Sequence, residues 1–233
     1  MSEEHTTPAG PPVPEPQLLV FARVPALGRV KTRLAAGVGE PVALAIYHEL
    51  LAITRTAIVE ARVPATVWLA DTVGQHPTDE EMQHWPNIAA RCQPAGDLGT
   101  RMTAAFAAAF AAGAGRVAII GTDCPGLRAA HLTQAFALLE AHDVVLGPAT
   151  DGGYYLLGLG QPQPELFQNK AWSTDSVMAD TLADAHRLGL RVALLPELRD
   201  VDTAADLAAW RAETVSAIEP GAVSANTPHA SVE

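Results

Sequence analysis

Val117-Ala-Ile-Ile-Gly-Thr-Asp-Cys-Pro-Gly126 decides the fold, because an apolar run there ends abruptly in a lone carboxylate. Val117 to Ile120 is short, rich in β-branched residues and free of polar alternation, the pattern of a strand buried on both faces of a parallel sheet. Gly121 and the Pro125-Gly126 pair break the run. Asp123 is thereby left at the strand's carboxyl end, where open α/β sheets place their ligands. A charge at such a position is costly unless it is solvated or paired. Two roles fit it equally: a metal ligand, or the N-cap of the segment that follows.

Upstream, Met1 to Pro16 is rich in Pro, Glu and Thr and reads as a disordered leader. Leu18 to Ala22 is a first buried strand, and it runs into Arg23-Val-Pro-Ala-Leu-Gly-Arg-Val-Lys-Thr-Arg33, which holds four of the fifteen basic residues. Lys31 is one of only two lysines in the chain. A compact ammonium suits a phosphate, while arginine supplies a planar fork. The loop therefore reads as a phosphate cradle, against the plainer alternative of a solvated basic surface. Glu40 to Ala61, with Pro41 near its start and apolar residues at Ile46, Leu50, Ile53 and Ala57, has helical spacing. Ala65 to Ala70 is a second strand. Asp71 to Pro86 reads as a polar loop without chemistry. Ile88 to Gln93 is a short third strand, and Gly96, Asp97 and Arg101 open an Ala-rich helix that ends near Gly113. Those three residues are candidates for a nucleotide pocket, with helix capping by Asp97 as the alternative.

Downstream, His131 to His142 is a helix and Asp143 to Pro148 a buried strand. Asp151-Gly152-Gly153 between two apolar runs signals a hairpin, and Tyr154 and Tyr155 beside it resemble a binding lip. Trp172-Ser-Thr-Asp175 reads as a helix start capped by Ser173 or Thr174, with the helix running to about Leu188. Leu190 to Leu195 is a last strand. Thr203 and Asp206 form a capping box before a final helix that ends near Thr214, and Asp200 and Asp202 exceed what capping needs. Ser216 to Glu233 reads as a disordered tail, which leaves residues 17–215 as one domain.

A chain of 233 residues with 48% hydrophobic content can bury a full core in one α/β domain. Alternating strands and helices predict a doubly wound, mostly parallel sheet, with the hairpin adding an antiparallel element. A net charge of −11 argues against nucleic acid or an anionic membrane as partner. The two cysteines lie far apart in no ligand spacing, and Cys124 reads as a packing residue. No apolar run reaches the length of a membrane span, and no signal peptide opens the chain. The expectation is a cytoplasmic, soluble protein.

Six ordered motifs together resemble the DUF2064 family, an uncharacterised group often labelled glycosyltransferase. They are Phe21-Ala-Arg-x-Pro-x-x-Gly-x-Val-Lys-Thr-Arg-Leu34, Gly96-Asp-Leu-Gly-x-Arg-Met102, Gly121-Thr-Asp-Cys-Pro125, Gly147-Pro-Ala-x-Asp-Gly-Gly-Tyr-Tyr155, Trp172-Ser-Thr174 and Asp200-Val-Asp-Thr203. The resemblance spans about Leu18 to Trp210 and implies a nucleotide-diphospho-sugar transferase (GT-A) fold. Thr100 departs from the pattern, standing where that family is expected to carry Glu. The resemblance further implies a nucleotide bound over the first strands, contacted by Arg23, Lys31, Arg33, Gly96, Asp97, Arg101, Thr122, Gly152, Gly153 and Tyr154. It implies Mg²⁺ or Mn²⁺ on Asp123, with Asp200 or Asp202 as second ligand and Asp151 as a third or as an acceptor-side base. Lys31, Asp123 and Asp151 are the candidate catalytic groups. The implied activity is transfer of a sugar from a nucleotide-sugar to a small acceptor. The alternative is nucleotidyl transfer from an NTP, since the Lys-Thr-Arg-Leu run is also similar to the phospholactate guanylyltransferases. A non-catalytic nucleotide-binding protein is a third reading, disfavoured by the joint presence of Lys31, Asp123 and Asp202. Oligomeric state is not legible in the sequence.

Overall fold

The Val117 stretch forms β4 (Arg116–Ile120), the central strand of a seven-stranded sheet, and Val117 to Ile120 are all buried. The computed structural model describes residues 14–72 and 74–218, the last four by backbone alone. In chain order the other elements are β1 (Pro16–Arg23), α1 (Thr32–Val38), α2 (Glu40–Ala61), β2 (Ala65–Ala70), β3 (Ala89–Cys92) and α3 (Leu98–Ala111). After β4 come α4 (Ala129–Leu138), β5 (Val144–Pro148), β6 (Tyr154–Leu159), a 3-10 turn (Pro164–Phe167), α5 (Val177–Arg187), β7 (Val192–Leu194) and α6 (Ala204–Ile218).

The strand order is β3-β2-β1-β4-β6-β5-β7. Only β6 runs antiparallel to its neighbours, β4 and β5, as the Asp-Gly-Gly hairpin requires. At Gly152, φ is +86° and an added Cβ would collide with the Asp175 backbone, so this turn position needs glycine for both conformation and space. Strand alternation divides the core. Leu18, Val20, Val67, Leu69, Ala118 and Ile120 pack under α2 and α4, against Tyr47, Leu51, Leu132 and Phe136. Leu19, Trp68, Val117, Ile119, Val144 and Leu146 pack on the other face against Met102 and Phe106 of α3 and Ala185 of α5. Each fully buried leucine among them contributes roughly 1.5–3 kcal/mol. A third cluster, with Leu34, Ile46, Leu50, Val201 and Trp210, joins α1, α2 and α6. By length and composition α2 would suffice to cross a membrane, which the sequence reading did not recognise, yet Tyr47, Leu50, Leu51 and Ile58 bury it in the core.

Four local expectations differ from the structure. The short helix α1 was not anticipated; seven residues with Ala35, Ala36 and Gly37 at their centre carry too little periodicity to read. Helix α4 starts two residues earlier than expected and stops at Leu138, with a turn in place of its last residues. Helix α5 begins at Val177, without a side-chain cap. Residues Trp172 to Thr174 instead make a turn in which Ser173 has φ +65° and the Thr174 hydroxyl donates to the Ala171 carbonyl (2.7 Å). Helix α6 continues to Ile218, four residues past the expected end. Residues 1–13 and 219–233, which hold most of the expected leader and tail, lie outside the described residues.

Candidate functional site

The chain steps outward from β1 to β2 and β3 and then returns to the other side of β1 as β4, so strand order reverses between β1 and β4. Beyond the carboxyl ends of those two strands the structure opens a cleft, as doubly wound sheets do at such a switch point. Lys31 lies beside it, buried and lining neither of the two cavities there, on the loop after β1, held at φ +49° immediately before α1. Asp123 enters from the end of β4. Its backbone carbonyl accepts from the Val201 N–H (3.0 Å), which ties the loop after β4 to the one before α6. That second loop carries Asp200 and Asp202, and Asp206 fixes it by accepting from the N–H of Asp202 (3.1 Å) and the N–H and hydroxyl of Thr203 (2.7 Å each). The capping box read from the sequence is thus present, and it holds a site residue in place.

At the centre, the Lys31 ammonium lies 2.5 Å from Asp123 Oδ1 and 2.9 Å from Asp202 Oδ1. Its side chain is 5% exposed. Burial by itself would lower the lysine's pKa, but the charges of Asp123 and Asp202 and the hydrogen bonds to both outweigh it, and the net shift is upward. Arg33, largely exposed, stands 3.7 Å from Asp202 Oδ2.

Beside this pair three carboxylates converge. Asp151, Asp200 and Asp202 each offer an oxygen, and those oxygens lie within 4.8 Å of one another. Asp151 is exposed on the hairpin and accepts from the Gly153 N–H (2.8 Å). Asp200 is buried and accepts from the Thr150 hydroxyl (3.1 Å). Burial, then the neighbouring charges of Asp151 and Asp202, raises the Asp200 pKa above the ordinary carboxylate value. A hard divalent cation relieves such repulsion, and an all-oxygen donor set suits Mg²⁺ or Mn²⁺. The residues therefore fit the metal that the family resemblance implies, with Asp151 inside the cluster and Asp123 bound to Lys31 at its edge.

A cavity of about 360 Å³ adjoins the cluster. Phe21, Leu98, Met102, Tyr154 and Trp172 supply its apolar wall, and Arg33, Asp123, Asp151, Asp200 and Asp202 its polar side. A second cavity, of about 350 Å³, shares Phe21, Leu98 and Asp123 with it and extends over the ends of β1, β2 and β3. Arg23, Arg101 and Thr122 line this second space. Gly153 and Tyr154 line the first, with the Tyr154 hydroxyl buried and its pKa pushed up by that burial. Gly152 serves the turn behind them.

Gly96 and Asp97 line neither cavity. Asp97 caps α3 through the Thr100 N–H (2.8 Å), and the Gly96 carbonyl accepts from Arg101 Nε (2.8 Å). Cys124 is buried, and burial raises its thiol pKa well above the ordinary value, in keeping with a packing role. The basic loop is not an open row of cations: Lys31 and Arg33 face aspartates of the site, and Arg23 Nε donates to Asp71 (2.7 Å). Sequence reasoning passed over Tyr47, Asp71 and Gln93, all on the second cavity. A signal for Asp71 existed, since it follows a buried strand just as Asp123 does.

The model of a family of uncharacterized proteins conserved in bacteria, DUF2064, matches residues 53–174. A crystal structure from Desulfovibrio desulfuricans G20, described as a candidate nucleotide-diphospho-sugar transferase, is 30% identical over 90% of this chain and 92% of its own, with a TM-score of 0.80. The inositol-1-phosphate CTP transferase from T. maritima shares the fold at 14% identity, over 88% of this chain and 96% of its own, with a TM-score of 0.56. So does a Mycobacterium tuberculosis H37Rv protein in complex with manganese, at 13% identity, over 84% and 97%, with a TM-score of 0.50. No curated protein matches the chain. On the family match and the likeness to the Desulfovibrio protein, the chain belongs to the DUF2064 family.

Proposed function

We propose that this chain is a divalent-cation-dependent transferase that moves a sugar from a nucleotide-sugar to a small acceptor. The observation that carries the reading is the convergence of Asp151, Asp200 and Asp202 beside the Lys31–Asp123 pair at the switch point of the sheet. Asp200, Asp202 and Asp151 would hold Mg²⁺ or Mn²⁺, with Asp123 beside them. When bound, the cation supplies positive charge to the diphosphate that leaves with the electron pair of the broken sugar–oxygen bond. The chain's own groups do the rest. Arg33 and Lys31 face the phosphates, while Arg23, Arg101 and Thr122 border the nucleoside side. The apolar wall around Trp172 and Tyr154 holds the sugar, whose ring packs well on aromatic faces. Asp151, the exposed carboxylate, can also accept the proton that an acceptor hydroxyl loses as its oxygen bonds to the sugar. The setting is cytoplasmic in this reading, and nucleic acid and membrane are not partners.

The pairing of Lys31 and Arg33 with aspartates favours a diphosphate donor over a triphosphate, which needs more uncommitted positive charge. One observation favours nucleotidyl transfer instead: Lys31 is held immediately before α1 by a left-handed backbone, beside the cluster, where it could exchange its carboxylates for phosphate oxygens once a cation neutralises them. Titrating wild type and Lys31→Ala with an NTP, the matching NDP and the matching NDP-sugar under saturating Mg²⁺ separates the two. A lost charge-assisted contact is worth roughly 1.5–3 kcal/mol, about tenfold or more in affinity. Loss shared by NDP and NDP-sugar supports glycosyl transfer. Loss confined to the NTP supports nucleotidyl transfer, and absence of any nucleotide binding by the wild type overturns both.

A further inference from the structure

The second cavity contains a polar pair, Asp71 and Arg23, whose ligand atoms the reading above leaves unassigned. Asp71 stands directly after β2 with φ +65°, a left-handed backbone that non-glycine residues seldom adopt. Such strain persists where the surroundings impose it, and it gathers at ligand clamps. Here it places a partly buried carboxylate on the cavity, 2.7 Å from Arg23 Nε through Oδ2. Among the described residues, Asp71 Oδ1 and the two terminal nitrogens of Arg23 have no hydrogen-bond partner.

Several other polar groups around the cavity are already committed. Gln93 Nε2 donates to the carbonyls of Trp68 (3.0 Å) and Ala22 (3.4 Å), and its Oε1 accepts from Arg101 Nη1 (3.4 Å). Arg101 Nε is bound to the Gly96 carbonyl, and the Tyr47 hydroxyl accepts from the Arg23 N–H (2.9 Å) and donates to the Arg23 carbonyl (3.1 Å). At the outer end of the cavity, beside Ala70 and Asp71, a carboxylate and a guanidinium fork are left for a ligand.

Resting on the nucleotide-using reading above, we propose that Asp71 and Arg23 select guanine as the base of the nucleotide. Guanine carries two adjacent donors, its ring N1–H and its 2-amino group, next to the O6 acceptor. A carboxylate takes both donors at once, and the fork meets O6. Cytosine offers the carboxylate one N–H, and adenine offers one N–H beside a ring nitrogen that repels it. The uracil imide N–H lies between two carbonyl oxygens, which repel it as well.

The test measures Kd for GDP, CDP, ADP, UDP and xanthosine diphosphate with Mg²⁺, on the full chain, wild type and Asp71→Asn. The expected result is GDP tightest by about tenfold, within the roughly 5- to 150-fold by which a well-matched bidentate pair discriminates. In xanthine a carbonyl replaces the 2-amino group, and the amide of the variant can donate to it. Asp71→Asn should therefore bind xanthosine diphosphate more tightly than GDP, a gain that a misfolded variant cannot show. If wild type binds these nucleotides with no preference for GDP, or if the preference survives Asp71→Asn, the base assignment is overturned while the transferase reading stands. If none of the five binds to wild type, both fall.

Discussion

The sheet has cavities at both ends, and the roomier single space, at the amino ends, lacks the chemistry. At the amino ends of β1 and β2 a space of about 500 Å³ is bordered by Pro14, Pro16, Leu19, Trp68, Ala109 and Ala112, with Glu15 and Arg91 the charged residues on it. At the carboxyl ends a smaller space, of about 360 Å³, meets four aspartates and Arg33, with buried Lys31 bonded to two of the four. Volume alone does not make a site. What distinguishes the carboxyl end is that like charges are held together at a cost to the fold, the arrangement in which functional sites concentrate.

The largest contrast should come from Asp200→Asn. Its Mn²⁺ affinity, measured by calorimetric titration without nucleotide, is expected to fall by at least about 100-fold, because a ligand with a full charge is lost. The same substitution should stabilise the metal-free protein at pH 7. Because the Asp200 pKa is raised in the folded state, its contribution to stability is full below the unfolded value of 3.8 and lost as pH rises through the folded value. Removing that charge should gain about 1 kcal/mol, or a Tm increase of roughly 2–4 °C in a domain of this size. Unchanged Mn²⁺ binding in the variant would break the contrast between the two ends.

Lys31→Ala is next in size. It leaves Asp123 and Asp202 facing each other without the bridging ammonium, which should cost about 2 kcal/mol. That is below the 3–5 kcal/mol of a fully buried pair, since both carboxylates keep part of their surface in water. The lysine's raised pKa means that its stabilisation is complete below about pH 10.5 and lost as pH rises through the folded value. Denaturant melts from pH 8 to 11.5 should show an alkaline loss in wild type that is smaller in the variant. Equal loss in both would mean that the bridge contributes nothing to stability.

The smallest effect is expected at the other end. Ala109→Leu, on α3 facing the amino-end cavity, should fill part of it and stabilise by about 0.5–1 kcal/mol, with no change in nucleotide or Mn²⁺ affinity. A change in either affinity would show that the two ends are coupled.

Much of this was legible before any coordinates. Both ends of α2 and of β2 fall where periodicity and Pro41 place them, because long amphipathic or continuously apolar segments report their own burial. The start of α5 was not legible. Ser173 and Thr174 have the chemistry of caps, but Trp172 packs into the space that Gly99 leaves at the start of α3, and the neighbouring residues follow it into a turn.

For the site, the sequence by itself determined which residues carry unexplained charge: Lys31, Asp123, Asp151, Asp200 and Asp202 all stand at the ends of apolar runs or beside turn signals. Only the tertiary structure decided how they combine. It set Asp151, Asp200 and Asp202 together, bonded Lys31 to Asp123 and Asp202, and made of Asp71 and Arg23 a pair that the sequence had assigned to separate segments. Local pattern records what each segment buries. Which charges meet depends on strand order and on how the loops cross it: the loop after β7 is tied to the loop after β4 at the switch point, and so Lys31 and Asp202, 171 residues apart, come within a hydrogen bond of each other.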